Sequence, residues 1–283
     1  MPPQILVVGQ GDIGLPVTNA LAVEGYAVTG IARSMRSHYA LVEQAQFMQA
    51  DALTLTCDQL QAFSHIAIIV TPDEYSMSGY KASYLAICEH FAQLSSELPN
   101  LERIVFISST GVYGQDNGEW IDEYTAPIQP KREASKVILQ AEQALQRGFA
   151  NKAVIIRPSG IYGRERLMRV RKARESAKEA IASEHWSNRI MDRDLVTIIV
   201  KVLTADSTET IKPLYIATDY MPVTTLELDA WLSHQLGSVP AKIEKISMAG
   251  ATGKRLQSNI PLTWLDYPDW QTGYLDILQH QSD

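Results

Sequence analysis

The stretch that most constrains this chain is Ile5-Leu6-Val7-Val8-Gly9-Gln10-Gly11-Asp12-Ile13-Gly14, an unbroken apolar run that ends abruptly in three glycines spaced G-x-G-x-x-G. The run is short and bounded like a buried strand. From Leu15 to Val23 apolar residues recur at helical spacing, ending at Glu24-Gly25, and a second apolar run, Ala27 to Ala32, follows at once. The opening therefore reads strand, glycine turn, helix, strand. Gly9 permits a tight turn off the strand, Gly11 lets a pyrophosphate approach the backbone, and Gly14 lets the helix pack on the sheet. Asp12 and Ile13 lie where the helix N-terminus offers free N–H groups and positive potential to phosphates. Such glycines also serve ordinary turns, but the strand and helix on either side fit a dinucleotide-binding turn.

Downstream, apolar runs keep alternating with helical patterns. Ala40 to Ala50 reads as a helix and a short strand ending at Asp51, and Leu60 to Phe63 leads into a strand Ile66–Val70 closed by Thr71-Pro72. An amphipathic stretch from Tyr80 to Leu98 stops at Pro99-Asn100. A strand Ile104–Ile107, a helix from about Arg132 to Gln146 and a strand Ala153–Ile156 follow. This alternation predicts an α/β fold with a doubly wound parallel (Rossmann) sheet, any ligand lying across the carboxyl ends of its strands. Beyond residue 163 the pattern loosens into a charged helical arm, Arg164 to Ser183, an apolar helix Leu195–Leu203, a strand Leu214–Ala217, a helix Thr224–Leu236 and a tail rich in aromatic residues and proline. The reading is a dinucleotide-binding domain over 1–163 and a mixed part over 164–283, partly returning to the sheet and partly forming a small substrate-binding lobe.

A chain of 283 residues, 46% hydrophobic, is long enough for such a domain with a modest appendage. The net charge of −7 argues against a general affinity for nucleic acid. The two cysteines, Cys57 and Cys88, show neither metal-ligand spacing nor a disulfide framework, which points to a reducing compartment. No signal-like segment precedes the first strand and no apolar run reaches the roughly 18 residues of a membrane span, so a soluble cytoplasmic protein without membrane association is expected.

Three further motifs, Ser108-Ser109-Thr110-Gly111-Val112-Tyr113-Gly114, Ser135-Lys136 and Arg157-Pro158-Ser159-Gly160-Ile161-Tyr162-Gly163, follow the glycine turn in the order seen in extended short-chain dehydrogenases/reductases. The chain resembles that family of NAD(P)-dependent sugar-nucleotide epimerases and dehydratases along nearly its whole length, since Asn188 to Leu195 is similar to the segment that returns to the cofactor lobe. The resemblance implies that Ser109 matches the catalytic Ser or Thr and Lys136 the catalytic lysine. The family's tyrosine, a general acid/base whose pKa the lysine lowers, belongs four residues before the lysine, where this chain has Arg132. A guanidinium stays protonated and relays no proton near neutral pH. The chain thus resembles an atypical branch without the usual tyrosine. Tyr113, Tyr124 and Tyr162 are candidate replacement phenols, although Tyr113 and Tyr162 equally suit loop anchors beside a cofactor. Dehydratases of the family place an acidic pair after the Ser/Thr; Thr110-Gly111 lacks it, which counts against sugar dehydration.

An NAD-selective fold places an acid at the end of the second strand, roughly 20 residues after the glycines. Here Ala32-Arg33-Ser34 stands there with Arg36 close behind, which fits a 2′-phosphate grip and NADP, with NAD as the alternative. The resemblance places Asp51 at the adenine, Val70-Thr71-Pro72 along the cofactor's middle, Lys136 at the nicotinamide ribose, and Pro158 and Tyr162 beside the cofactor. The arm's Arg164, Arg166, Arg169, Arg171, Lys172, Arg174 and Lys178 read either as a solvated helix face or as a clamp for an anionic substrate such as a nucleotide sugar. Two functions are consistent with all this: an enzyme of epimerase, dehydratase or reductase type acting on a phosphorylated or nucleotide-linked small molecule, or an NADP(H)-binding regulator without turnover. Oligomeric state is left open, a homodimer included.

Overall fold

In the computed structural model, which describes residues 3–35, 40–175, 184–206, 210–238 and 251–280, the opening apolar run is the strand Gln4–Val8. Its Ile5, Leu6 and Val7 are wholly buried. The strand lies inside a seven-stranded sheet of order Leu214–Ala217, Ala153–Pro158, Arg103–Ile107, His65–Ile68, Gln4–Val8, Ala27–Ala32, Gln46–Gln49. From Ala153–Pro158 to Gln46–Gln49, neighbours pair in parallel. Central strands covered on both faces by helices read as continuous apolar runs, which is why the alternation in sequence reports the doubly wound fold correctly.

The flanking helices bury one stripe each. Gly14–Val23 turns Val17, Thr18, Leu21 and Ala22 inward and ends where Gly25 takes a φ of +87°. Glu133–Phe149 buries Val137, Ile138, Ala141, Ala144 and Leu145 at helical spacing. Each aliphatic side chain of Val or Leu size so buried contributes about 1.5–3 kcal/mol.

One local expectation is corrected. No helix fills 40–45, which form a turn instead. There Asn19 donates to the carbonyl of Ala40 at 3.0 Å and accepts from the N–H of Val42 at 3.0 Å, so this backbone is satisfied from a neighbouring helix. The amphipathic stretch expected over Tyr80 to Leu98 is Met77–Tyr80, a π-helical turn Lys81–Leu85, the helix Ala86–Gln93 and a short 3₁₀ turn Ser95–Glu97. Tyr84, on the π turn, stacks on Tyr80 at 5.7 Å and meets the edge of Phe106 at 6.0 Å.

The chain divides into two compact units that interleave in sequence: Met1–Val112, Gln129–Pro158 and Leu195–Tyr215 in one, Tyr113–Ile128, Ser159–Asp194 and Ile216–Asp283 in the other. The first carries the sheet. The second is built from short strand pairs: Gly160–Tyr162 with Arg189–Met191, Trp186–Ser187 with Val223–Thr224, and Asn117–Ile121 with Gly253–Leu256. Tyr162, Met191, Val223, Leu228, Leu232, Trp270, Tyr274 and Ile277 form its core. Helix Thr225–Gln235 opens with a capping box between Thr224 and Glu227, and Trp270–Gln279 opens on Asp269, whose carboxylate accepts from Thr272 N–H at 2.8 Å. Among the described residues no helix is long and apolar enough to cross a membrane.

Two buried titratable groups act in opposite directions. His65 is 5% exposed, and burial, with the nearby Arg103 cation, lowers its pKa to about 4. Asp194 is wholly buried; burial raises its pKa to about 6 even though it accepts from the N–H groups of Asp266 and Tyr267 at 2.9 and 3.0 Å. His65 therefore withdraws stability as pH falls from about 6.5 through 4, and Asp194 withdraws it as pH rises from about 4 through 6. Urea denaturation across this range should show His65→Gln gaining on the wild type as pH falls and Asp194→Asn gaining as pH rises, each by about 1–3 kcal/mol over its window. Parallel profiles for all three proteins would contradict the assignment.

Candidate dinucleotide site

The three glycines of the turn are required for different reasons. Gly9 has a φ of +94°, and a Cβ there would lie 2.1 Å from the carbonyl oxygen of Ile69. A Cβ on Gly14 would lie 1.9 Å from the carbonyl oxygen of Gly9. At Gly11 a Cβ would meet no protein atom within 4 Å. The fold demands the first and last glycines, whereas the middle one leaves open space at an exposed part of the turn. The neighbouring strands hold this turn in place, Gly9 N–H donating to Ile31 at 3.0 Å and Ile69 N–H to Val8 at 2.8 Å. Ile13 is the N-cap of the following helix with no side-chain cap, and the first turn holds no acid. Asp12 beside it is exposed. An open glycine at the start of an uncapped helix is a fitting cradle for a phosphate group.

At the end of the second strand Arg33 pairs with Asp73 at 2.5 Å, their side chains 61% and 67% exposed. The hydrogen bond and charge of Asp73, with a further contribution from Asp51, raise the Arg33 pKa, and Arg33 holds the Asp73 carboxyl below its ordinary value. Asp51 caps the 3₁₀ turn Ala52–Thr54, accepting from Leu53 N–H at 2.9 Å. Ser34 and Thr71 are exposed and Pro72 is buried. The structure thus gathers Arg33, Asp51 and the segment after Thr71-Pro72 at the carboxyl ends of three strands. Arg36 lies outside the described residues. The sequence reading missed Asp73, because nothing near it in the chain marks it as Arg33's partner.

The strand Arg103–Ile107 delivers Ser108 and Ser109. The Ser109 hydroxyl accepts from Gly111 N–H at 3.0 Å, and the place of a Cβ on Gly111 is 3.2 Å from that hydroxyl and 3.1 Å from the hydroxyl of Ser135. Ser109, Gly111 and Ser135 therefore meet, with Lys136 next in the helix. Lys136 pairs with Glu133 at 2.5 Å, while Arg132 is the exposed N-cap, joined to Lys136 by a backbone hydrogen bond of 3.2 Å. Beneath this loop Ser108 donates to Glu142, which also takes a bidentate pair from Arg157 at 2.9 and 2.6 Å. Glu142 is 1% and Arg157 5% exposed. Glu142 also went unnoticed in the sequence, although a carboxylate at the 138, 141, 142, 145 spacing of a buried stripe was a usable signal. Pro158 ends the next strand, buried.

In the second unit the Tyr113 phenol is buried and donates to the carbonyl of Asp122 at 3.4 Å, while the Tyr113 carbonyl accepts from Lys254 at 2.8 Å. Tyr162 stacks on Tyr274 at 4.5 Å, its hydroxyl 2.0 Å from where a Cβ on residue 273 would sit, so Gly273 is the residue that admits it. Burial pushes the Tyr162 phenol well above its ordinary pKa. Tyr124 is 86% exposed. The basic arm is helical over Met168–Glu175, and residues 176–183 lie outside the described residues. Arg164 makes a forked contact with Asp276 at 3.1–3.2 Å, and Arg169 and Lys172 reach Asp229 at 3.2 and 3.6 Å.

Comparison with known proteins places this geometry. Residues 5–212 match the model of the NAD dependent epimerase/dehydratase family. The chain is similar to the protein YeeZ of Escherichia coli K12, with 28% identity over 214 residues, 71% of this chain and 73% of YeeZ. Among solved structures it is similar to a protein from Methylobacillus flagellatus assigned to the NAD-dependent epimerases/dehydratases, at 30% identity, full coverage of both chains and a TM-score of 0.80. It shares the fold of the UDP-glucuronic acid 4-epimerase of Bacillus cereus in complex with NAD, at 18% identity, 97% and 98% coverage and a TM-score of 0.75. With most of its length matched by the family model and its whole length by a structure of the same assignment, this chain belongs to the NAD-dependent epimerase/dehydratase family.

Proposed function

We propose that the chain is an NADP(H)-preferring, epimerase/dehydratase-like oxidoreductase acting on a nucleotide-linked or phosphorylated small molecule. The observation that carries the reading is Gly11: the fold itself gives no reason for the missing side chain, whereas a pyrophosphate drawn to the uncapped helix does. Bound there, the dinucleotide would supply hydride exchange at a substrate carbon. Gly9, Gly11, Asp12, Ile13 and Gly14 would hold its pyrophosphate, and Arg33, with Ser34 and Arg36, its 2′-phosphate. Asp51, Thr71 and Pro72 would line the adenosine side, and Pro158 and Tyr162 the other end. Lys136 would leave Glu133 to hold the ribose, and Ser109 would orient the substrate's oxygen. Tyr113 is the proposed phenol nearest to Ser109 in sequence. A nucleotide sugar as substrate is supported by related folds such as the UDP-glucuronic acid 4-epimerase, whereas the arm's Arg164 and Arg169 already have carboxylate partners. A homodimer and a cytoplasmic location are compatible with this reading.

The cofactor part is tested by calorimetry. Gly11→Val should leave the melting temperature close to wild type and weaken binding of both dinucleotides, whereas Gly9→Ala should lower stability as well. Arg33→Ala should remove most of the preference for NADP, roughly 10- to 150-fold in affinity for a hydrogen bond to a charged group. Equal binding of NAD and NADP by the wild type would overturn the preference.

A second reading, a dinucleotide-binding regulator without turnover, is favoured by Arg132, which stands exposed where the family resemblance calls for tyrosine. Positioned acid/base catalysis supplies about 10²–10⁴-fold, so turnover should be slower than ordinary for the family by that order. Sugar nucleotides and simple carbonyls are to be screened with NADPH by absorbance for the wild type, Arg132→Tyr and Ser109→Ala. Slow wild-type turnover lost in Ser109→Ala supports the enzyme. Silence in all three alongside tight NADP binding supports the regulator.

A further inference from the structure

Asp73 takes no part in the reading above, yet it is placed to oppose it. It follows the strand His65–Ile68, and Arg33 follows the strand Ala27–Ala32; in the sheet these two strands flank Gln4–Val8. The Arg33–Asp73 pair therefore reaches across the carboxyl end of the strand from which the glycine turn springs. Its 2.5 Å contact takes one terminal nitrogen, Nη2, of the guanidinium, the group whose planar fork suits a phosphate. Both side chains are more than half exposed, so the pair is a weak, exchangeable one and no element of the core depends on it. A 2′-phosphate arriving at Arg33 would have to displace the carboxylate or accept its negative charge nearby. A 2′-hydroxyl carries no such charge.

We propose that Asp73 is a specificity-determining residue that limits the preference for NADP by competing with the 2′-phosphate for Arg33. This rests on the dinucleotide reading above and adds a residue to it. While Asp73 engages Arg33, the cation's advantage for the phosphate is reduced, and with it the discrimination between NADP and NAD. Asp51 contributes a second negative charge near the same guanidinium, so removal of Asp73 leaves Arg33 balanced in part.

The experiment is calorimetric titration of NADP and of NAD into the wild type, Asp73→Asn, Arg33→Ala and the double variant, none of which needs a substrate. Asp73→Asn keeps the size of an exposed side chain, and thermal melts check that it folds as the wild type does. Asp73→Asn should raise NADP affinity about 1.5- to fivefold, the range of an exposed ion pair, without raising NAD affinity. In the Arg33→Ala background the same substitution should raise NADP affinity less. A rise shared equally by NAD and NADP, an unchanged NADP affinity, or an equal gain with and without Arg33 would overturn the role of Asp73 while leaving dinucleotide binding intact. Failure of every variant and the wild type to bind either dinucleotide would overturn both.

Discussion

The carboxylate of Glu142 holds together the elements from which the candidate catalytic residues emerge. It comes from the helix that bears Lys136, accepts the hydroxyl of Ser108 at the end of one central strand, and takes the Nε–Nη2 edge of Arg157 at the end of the next. Buried ion pairs are poor sources of net stability, because desolvating two charges costs about as much as their attraction returns. They are nevertheless strict about geometry: a carboxylate that lost one partner would be left charged in an apolar interior. The helix and the two strands are therefore confined to one relative height. Ser109 and Lys136 inherit that height, being one and six residues from members of the network.

The glycine turn illustrates a different constraint. Gly9 and Gly14 are demanded by backbone carbonyls that already occupy the space of a side chain, and they would be demanded in a protein with this fold and no ligand. Gly11 is not. A motif that looks uniform in sequence thus separates into a structural pair and a residue whose absence of side chain faces outward. The distinction is useful for reading other such turns, since the outward-facing glycine is the one the fold does not itself require.

Most of the sheet was legible from the chain alone because each central strand is buried on both sides and so appears as a bounded apolar run. What the chain alone did not show is what partners distant in sequence decide. Residues 40–45 carry helical spacing, yet Asn19 satisfies their backbone from another helix. The arm after Arg164 reads as a run of cations, but its carboxylate partners stand far along the chain, Asp229 sixty residues beyond Arg169 and Asp276 a hundred and twelve beyond Arg164. In the candidate site, the glycine turn and the Ser109 and Lys136 positions were visible as motifs. Asp73 was not, because a single exposed acid acquires meaning only from the cation it meets in space, whereas Glu142 was marked only by its place in a buried helical stripe.

The interleaving of the two units bears on how this protein is made. A chain emerging from its N-terminus has six strands of the central sheet by Pro158, but the seventh, Leu214–Ala217, and the helix Asp192–Thr204 come only after much of the second unit has been synthesised. Neither unit is a contiguous fragment, and the first is complete only at Tyr215, after two of the three segments of the second have been made. The strand Ala153–Pro158, with all six of its residues buried in the finished protein, would wait on the ribosome with its outer edge unpaired. Such an edge invites pairing with other chains until the strand Leu214–Ala217 arrives to cover it.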